Sequence, residues 1–188
     1  MKCRVMLCAL ALSMTLGTAP RPESAPDRNE PMNSGRKFQR TADAARKKLL
    51  VVDDDPSVRE MIARVLAGEG YLVLAAANGA EALGIAAANS IDLVLLDLQM
   101  PVRSGWDTFE RLTAQDPLLA VIIITARPNQ LFTALGAGVG ALLEKPLDFP
   151  TLLRTVKLLL DESAQLRLAR LAGHSTDLHY VPSTGKEM

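Results

Sequence analysis

The segment KKLLVVDDDPSVRE, residues 47–60, reads as a buried strand that runs through an acidic turn into a helix. Residues 49–52 form a continuous apolar run, which is typical of a strand buried on both faces of a parallel sheet. Pro56 suits the first turn of a helix, and Asp55 before it suits the N-cap. The segment therefore predicts one strand–helix unit whose turn leaves two aspartates without a capping role.

The same alternation continues along the chain. We predict further strands at residues 71–75, 93–96, 120–124 and 141–143, and helices at residues 56–67, 79–88, 106–112, 131–135 and 149–160. Strands that alternate with helices through short connections indicate a parallel sheet covered on both faces. An apolar fraction of 48% suits a globular body. We therefore predict one α/β domain with five strands and five helices.

The two ends of the chain differ from this central part. Residues 1–19 have the basic start and apolar stretch of a secretory signal, and residues 20–47 have the composition of a disordered linker. Helical periodicity continues to Leu171, where we expect a helix end that packs on its own domain and frays. The alternative is a partner-docking or dimer helix with Leu166, Leu168, Leu171, Arg167 and Arg170. We therefore divide the chain into an N-terminal extension at 1–47, a domain at 48–162, and a helix extension with a disordered tail at 163–188.

Composition excludes several classes of function. The formal net charge is zero, with 21 basic and 21 acidic residues, which gives no support for nucleic-acid binding through a basic surface. The cysteines and histidines lie near the chain ends, so the central part has no His/Cys metal site. The N-terminal apolar stretch is too short for a transmembrane helix, so we expect no membrane insertion of the domain. Oxygen ligands remain, and these suit Mg²⁺ or Ca²⁺.

Polar side chains follow four of the predicted strands. They are Asp53 and Asp54 after the first strand, Asp97 after the third, Thr125 after the fourth and Lys145 after the fifth. Each alone has an ordinary explanation as a cap, a turn residue or a solvated lysine. Sites in open α/β sheets lie at the carboxyl ends of the strands, so these side chains are expected to gather. Carboxylates at close range repel, and a divalent cation relieves that repulsion. A carboxylate beside Mg²⁺ and an ammonium is suited to phosphoryl transfer.

Residues 48–162 resemble the receiver domain of two-component response regulators, of the same general class as the chemotaxis response regulator. The resemblance rests on four segments in the same order, KKLLVVDDDPSVRE, IDLVLLDLQMP, VIIITA and LLEKPL. It implies a flavodoxin-like doubly wound fold, with five parallel strands in the order 2-1-3-4-5 and helices on both faces. It also implies a protein that is not a conventional enzyme, and whose only reactions are Mg²⁺-dependent phosphorylation and dephosphorylation of its own aspartate.

The resemblance implies a role for each acidic residue. Asp97 resembles the phosphoacceptor, which also contacts the metal ion. Asp54 resembles a direct Mg²⁺ ligand, and Asp53 a ligand that acts mainly through water. Gln99 matches the position whose backbone carbonyl completes the metal site.

Other positions match the family in part. Thr125 matches the switch hydroxyl, and Lys145 matches the lysine that contacts the acceptor or its phosphoryl group, usually before a cis peptide bond to proline. Leu142 stands where the family often has an aromatic residue. Ser104–Gly105 stands where the family usually has Asp-Gly, and the fourth helix is predicted to be shorter than usual.

The resemblance implies signalling by phosphorelay. A sensor histidine kinase or a histidine phosphotransfer protein would donate the phosphoryl group to Asp97. A face built from the fourth helix, fifth strand and fifth helix would then bind an output protein that the sequence does not identify. We expect no DNA-binding domain after residue 161, and a cytoplasmic location. The signal-like start conflicts with that location, so we expect a start further downstream, with Met32 as the candidate.

Two other functions stay open. A haloacid-dehalogenase-like phosphatase also uses an aspartate and Mg²⁺, and Asp53 and Asp55 have its Asp-x-Asp spacing. That family does not explain LLDLQMP in the third strand, and the chain has no room for its cap insertion. A pseudo-receiver would bind partners without phosphorylation, although the complete acidic set argues against this.

Overall fold

The computed structural model describes residues 46–101, 104–127, 129–174 and 178–182. The strands are β1 Lys48–Val52, β2 Leu72–Ala76, β3 Leu93–Asp97, β4 Ala120–Thr125, β5 Ala141–Glu144 and β6 His179–Val181. The helices are α1 Pro56–Gly68, α2 Gly79–Ala88, α3 Gly105–Gln115, α4 Leu131–Gly136, α5 Phe149–Asp161 and α6 Ala164–Leu171. The predictions for the signal-like start, for Met32 and for all but the last two residues of the linker concern residues outside the described ranges.

All neighbouring strands of the sheet pair in parallel, in the order β2-β1-β3-β4-β5-β6. The predicted order of the first five strands is therefore confirmed. Side chains along β1 alternate between two cores: Leu49 and Val51 join one apolar cluster, and Leu50 and Val52 join the other. Both faces of the sheet are thus covered, which explains why its strands are continuous apolar runs rather than alternating ones.

Four of the helices begin at the carboxyl edge of the sheet with a side-chain cap. Asp55 accepts hydrogen bonds from the backbone N–H groups of the first turn of α1, as predicted. Asn78, Ser104 and Asp148 cap α2, α3 and α5 in the same way. These caps fix the turns that follow β1, β2, β3 and β5, and those turns hold the polar residues at the strand ends.

The C-terminal helical pattern does not form one continuous helix. Glu162 has extended backbone angles that end α5, and Ser163 caps the new helix α6. Arg170 donates from both terminal nitrogens to the Glu162 carboxylate, at 2.7 and 2.8 Å, and both side chains are buried. Arg167 donates to backbone carbonyls of the preceding elements. The expected helix that packs on its own domain is therefore present, but it is a separate helix held by ion pairing rather than an extension of α5.

Strand β6 lies in the segment for which we predicted only a tail. It extends the sheet beyond β5, with Tyr180 opposite Leu142 and Val181 opposite Leu143. A strand of three residues is too short to show an alternating pattern, so the sequence did not predict it. Across the described ranges, none of the helices has the length and apolar character needed to cross a membrane.

Candidate functional site

Three carboxylates meet at the carboxyl edge of the sheet. Asp53, Asp54 and Asp97 each offer one oxygen, and these oxygens all lie within 4.8 Å of one another. Strands β1 and β3 are paired up to Val52 and Leu96, so the two acidic turns begin side by side. Asp53 and Asp97 are only 1% and 3% exposed, whereas Asp54 is exposed. Buried carboxylates need compensating partners, and the surroundings of these two supply them.

One ammonium bridges the two buried carboxylates. Lys145 Nζ lies 2.6 Å from Asp97 Oδ2 and 3.0 Å from Asp53 Oδ2. The backbone N–H of Lys145 donates to the carbonyl of Thr125 at 2.8 Å, which fixes the end of β5 against β4. The peptide bond from Lys145 to Pro146 is cis, as predicted. The structure therefore brings together the predicted acids and the predicted lysine.

The second oxygen of each buried carboxylate accepts a hydrogen bond from a backbone N–H group. Asp53 Oδ1 accepts from the N–H of Asp55, and Asp97 Oδ1 accepts from the N–H of Gln99, both at 2.9 Å. Each aspartate therefore closes a turn onto its own backbone two residues further on, as Asp side chains commonly do. The two carboxylates are held in matching orientations, each with Oδ1 on an amide and Oδ2 on Lys145.

Burial and charge shift two pKa values at this site in the same direction. Burial raises the pKa of Asp53, and the hydrogen bond and attraction to Lys145 oppose this rise without cancelling it. Burial lowers the pKa of Lys145, but its hydrogen bonds to Asp97 and Asp53 outweigh burial and raise that pKa above its ordinary value. Lys145 is therefore an ammonium at neutral pH, and it can attract an incoming anion.

Two arginines border the site, and the sequence reasoning did not single them out. Arg59 on α1 donates to the carbonyl of Asp53 at 2.6 Å and to that of Asp54 at 3.4 Å. Arg127 lines an open cavity of about 510 Å³ together with Asp54, Gln99 and four other residues. The sequence could have indicated Arg59, because it lies in the first turns of the helix that follows the acidic turn. Of the three carboxylates, Asp54 lines this cavity, so the acidic cluster borders it on one side.

Thr125 ends β4 and is fully buried. Its Oγ1 accepts a hydrogen bond of 3.0 Å from the N–H of Arg127. Within the described contacts, this hydroxyl does not bond to a side chain of the acidic cluster. An accepting hydroxyl still has its own O–H to donate, so Thr125 can hold the following loop and also serve a ligand.

Replacing Thr125 with valine should lower the free energy of unfolding by about 1 kcal/mol, because the Arg127 N–H loses its acceptor while the volume is kept. Urea denaturation measures the change. Thr125→Ser retains the hydroxyl and should keep this hydrogen bond. A valine variant as stable as the wild type would contradict the importance of the bond.

The loop after β3 needs a glycine at position 105 because the helix α3 starts very close to the backbone of β3. A Cβ atom on Gly105 would lie 2.5 Å from the Asp97 carbonyl oxygen and 2.5 Å from Leu98 Cα. The Ser104 hydroxyl accepts from the Trp106 N–H at 3.2 Å and caps α3. The helix therefore starts in direct contact with the backbone of the acidic strand end.

The doubly wound sheet, with an acidic cluster and a lysine at its carboxyl edge, has the architecture of a receiver domain. A family model described as the response regulator receiver domain matches residues 49–157, which is more than half of the chain. The chain belongs to this family.

Curated relatives support the same assignment. The transcriptional regulatory protein GlrR of Escherichia coli is 36% identical over 118 residues, which cover 62% of this chain and 27% of that protein. The response regulator MprA of a Mycobacterium species is 37% identical over 115 residues, which cover 60% of this chain and 50% of that protein. The chain therefore spans half or less of the length of these relatives.

Solved structures also resemble this fold. A CheY-like receiver domain protein from Methanospirillum hungatei has a TM-score of 0.60 and 29% identity, covering 62% of this chain and 95% of that one. The response regulator TrrA from Thermotoga maritima, in complex with Mg(2+)-BeF, has a TM-score of 0.57 and 33% identity, covering 60% and 98%.

Proposed function

We propose that Asp97 of this receiver accepts a phosphoryl group from a phosphohistidine on a sensor histidine kinase or a histidine phosphotransfer protein. The observation that carries the proposal is the contact of Lys145 Nζ with both Asp97 and Asp53, beside a third carboxylate. A cation on a buried nucleophilic carboxylate favours the approach of a phosphoryl anion.

A magnesium ion fits the acidic cluster. Three carboxylate oxygens within 4.8 Å of one another form the hard donor set that Mg²⁺ prefers. We propose Asp54 as a direct ligand, Asp53 as a ligand mainly through water, and Asp97 with the Gln99 carbonyl as the remaining protein ligands. When bound, Mg²⁺ would neutralise charge on the carboxylates and on the transferring group.

The residues of the chain then act on the acceptor and on the phosphoryl oxygens. A carboxylate oxygen of Asp97 forms the new bond to phosphorus while the bond from phosphorus to the imidazole nitrogen breaks. The imidazole leaves with that electron pair. Lys145 and the Thr125 hydroxyl donate to the phosphoryl oxygens and hold the product. The Lys145 ammonium thereby offsets part of the negative charge on the transferring group.

The product changes the electrostatics of this edge. A phosphoryl group adds a charge of roughly −1.5 to −2 at a site where Lys145 already serves two carboxylates. Lys145 and Thr125 then favour the arrangement that contacts the new group, and the population shifts toward it. We propose that the face of α4, β5 and α5 reports this shift to an output protein. We also propose residues 48–162 as the receiver domain, and the cytoplasm, where phosphohistidine donors act, as its location.

The phosphatase alternative is not favoured. Its Asp-x-Asp pair would need Asp55 in the site, but Asp55 caps α1 and lies outside the acidic cluster. The family match also accounts for the acid at the end of β3, which the phosphatase reading leaves unexplained. A pseudo-receiver would not need the complete set of three acids and a lysine.

Incubation with acetyl phosphate tests the proposal. With Mg²⁺, intact mass should show one added phosphoryl group per chain, and chelation of the metal should prevent it. Asp97→Asn should gain none. If this variant were still phosphorylated, or if the protein turned over an aryl phosphate repeatedly, the assignment would fail.

A further inference from the structure

Strand β6 connects the C-terminal segment to the residue next to the site lysine. Tyr180 lies opposite Leu142 in the pairing of β5 with β6. The Tyr180 hydroxyl donates to Glu144 Oε1 at 2.8 Å. Glu144 is the last residue of β5 and directly precedes Lys145. A side chain near the C-terminus therefore contacts the chain one residue away from the ammonium that bridges Asp53 and Asp97.

We propose that Tyr180 is a positioning residue for Lys145, acting through Glu144, and that phosphorylation of Asp97 changes how firmly β6 is held on β5. The proposal rests on the proposed function for its second part, because it takes Asp97 as the phosphoacceptor. Its first part concerns the unphosphorylated protein alone.

The end of β5 is held from both sides. On one side, Thr125 of β4 pairs with Glu144, and its carbonyl accepts the N–H of Lys145 at 2.8 Å. On the other side, the Tyr180 hydroxyl holds the Glu144 carboxylate. The reach of Lys145 toward the two carboxylates depends on where this backbone lies. A contact that fixes residue 144 therefore restricts the position from which the ammonium extends.

The coupling must act in both directions. If docking of β6 stabilises the arrangement in which Lys145 contacts Asp53 and Asp97, then any ligand that draws Lys145 away from them alters the docking of β6. A phosphoryl group on Asp97 is such a ligand, because it brings new acceptor oxygens within reach of the ammonium. The free energy that links the two events is the same in both directions.

Strand β6 is suited to respond because few contacts hold it. It has three residues, of which His179 and Tyr180 are exposed and Val181 is half-buried. Val181 packs against one core cluster, and Leu178 just before the strand packs against the other. Elements with short ladders and exposed hydrogen bonds open at low free energy, so a modest change at Lys145 alters the docked fraction.

Hydrogen–deuterium exchange of the full chain tests the coupling. We compare the exchange of peptides covering residues 141–144 and 178–182 between two samples. One contains Mg²⁺ alone, and the other contains Mg²⁺ plus beryllofluoride, which mimics an acyl phosphate. Beryllofluoride should change the exchange of both peptides by about threefold to tenfold, the range expected for an exposed hydrogen bond to a charged group. Exchange in α2, which packs beside β2 at the opposite edge of the sheet, should stay the same.

Tyr180→Phe removes only the hydroxyl and is the decisive variant. Its β6 peptide should exchange faster than in the wild type and respond less to beryllofluoride, and its rate of phosphorylation by acetyl phosphate should change. His179→Ala is the matched control, because His179 is an exposed side chain on the same strand. That variant should keep the wild-type phosphorylation rate and the wild-type response.

The outcomes separate this inference from the proposed function. If intact mass shows phosphorylation but β6 exchange is the same with and without beryllofluoride, the coupling is overturned and the proposed function stands. If Asp97 takes no phosphoryl group, the proposed function fails. Lys145→Met then tests the link between Tyr180 and Lys145 in the unphosphorylated protein. Altered exchange of residues 178–182 relative to α2 supports this link, and unaltered exchange overturns it.

Discussion

Lys145→Met should lower the free energy of unfolding by about 3 kcal/mol at neutral pH, because it leaves two buried carboxylates without their shared cation. Asp53 and Asp97 are 1% and 3% exposed, and both place Oδ2 on the same ammonium. The Lys145 side chain is 23% exposed, so the effect falls at the low end for a broken buried pair. Phosphorylation by acetyl phosphate should also slow strongly, since the ammonium beside Asp97 is lost.

The pH dependence of this variant should differ from that of the wild type in two ways. The pKa of Lys145 lies above its ordinary value of 10.5, so its contribution to stability is complete below that value and disappears as pH rises through the folded pKa. The variant lacks this alkaline loss. The pKa of Asp53, already raised by burial, rises further without the lysine, and the resulting penalty is relieved as pH falls through it. The loss of unfolding free energy in the variant, relative to the wild type, should therefore become smaller at acidic pH.

Urea denaturation across this pH range measures both effects, and Mg²⁺ should restore part of the lost stability by replacing the missing cation. Lys47→Met is the matched control. Lys47 pairs with Asp92 at 2.8 Å on the surface, so its loss should change stability by less than about 1 kcal/mol. Equal effects of the two methionine variants would contradict a special role for Lys145 in holding the acidic cluster together.

The parts of the fold that the sequence predicted are those with strong local signals. Residues 120–124 are five consecutive apolar residues, and they form a fully buried strand. Asp55 before Pro56 predicted the start of a helix. The Asp55 carboxylate accepts hydrogen bonds from the free N–H groups of the first turn, and proline at the first helical position lacks an N–H that would have no partner within the helix. Parallel topology then brought Asp53 and Asp97 together, since the carboxyl ends of neighbouring parallel strands share one edge.

The parts that were not predicted depend on contacts between distant residues. Arg170 pairs with Glu162 across the break between α5 and α6, and the apolar periodicity of the sequence does not predict such a contact. Strand β6 forms because β5 offers it a free edge, not because its three residues have a strand pattern. The roles in binding metal or phosphoryl groups stay predictions for all the site residues: Asp53, Asp54, Asp97, Gln99, Thr125 and Lys145.

Gly105→Ala should lower the free energy of unfolding by about 3 kcal/mol, because the added Cβ meets backbone rather than a movable side chain. It would lie 2.5 Å from both the Asp97 carbonyl oxygen and Leu98 Cα. The first turn of α3 would have to move away from β3, although the Gly105 N–H now donates to the Leu98 carbonyl at 3.3 Å. Because the backbone that the added Cβ meets belongs to Asp97 and its neighbour, phosphorylation by acetyl phosphate should slow as well.

Gly84→Ala is the control that separates this clash from the general effect of adding a methyl group. Gly84 is exposed on α2, and a Cβ there would meet nothing within 4 Å. Alanine has the higher helix propensity, so this variant should gain roughly 0.5–1 kcal/mol and keep its phosphorylation rate. Urea denaturation and intact mass compare the two variants directly. If Gly105→Ala matched Gly84→Ala in both measurements, α3 would not need to start against the backbone of β3, and the position of Asp97 would have to be fixed by its side-chain contacts alone.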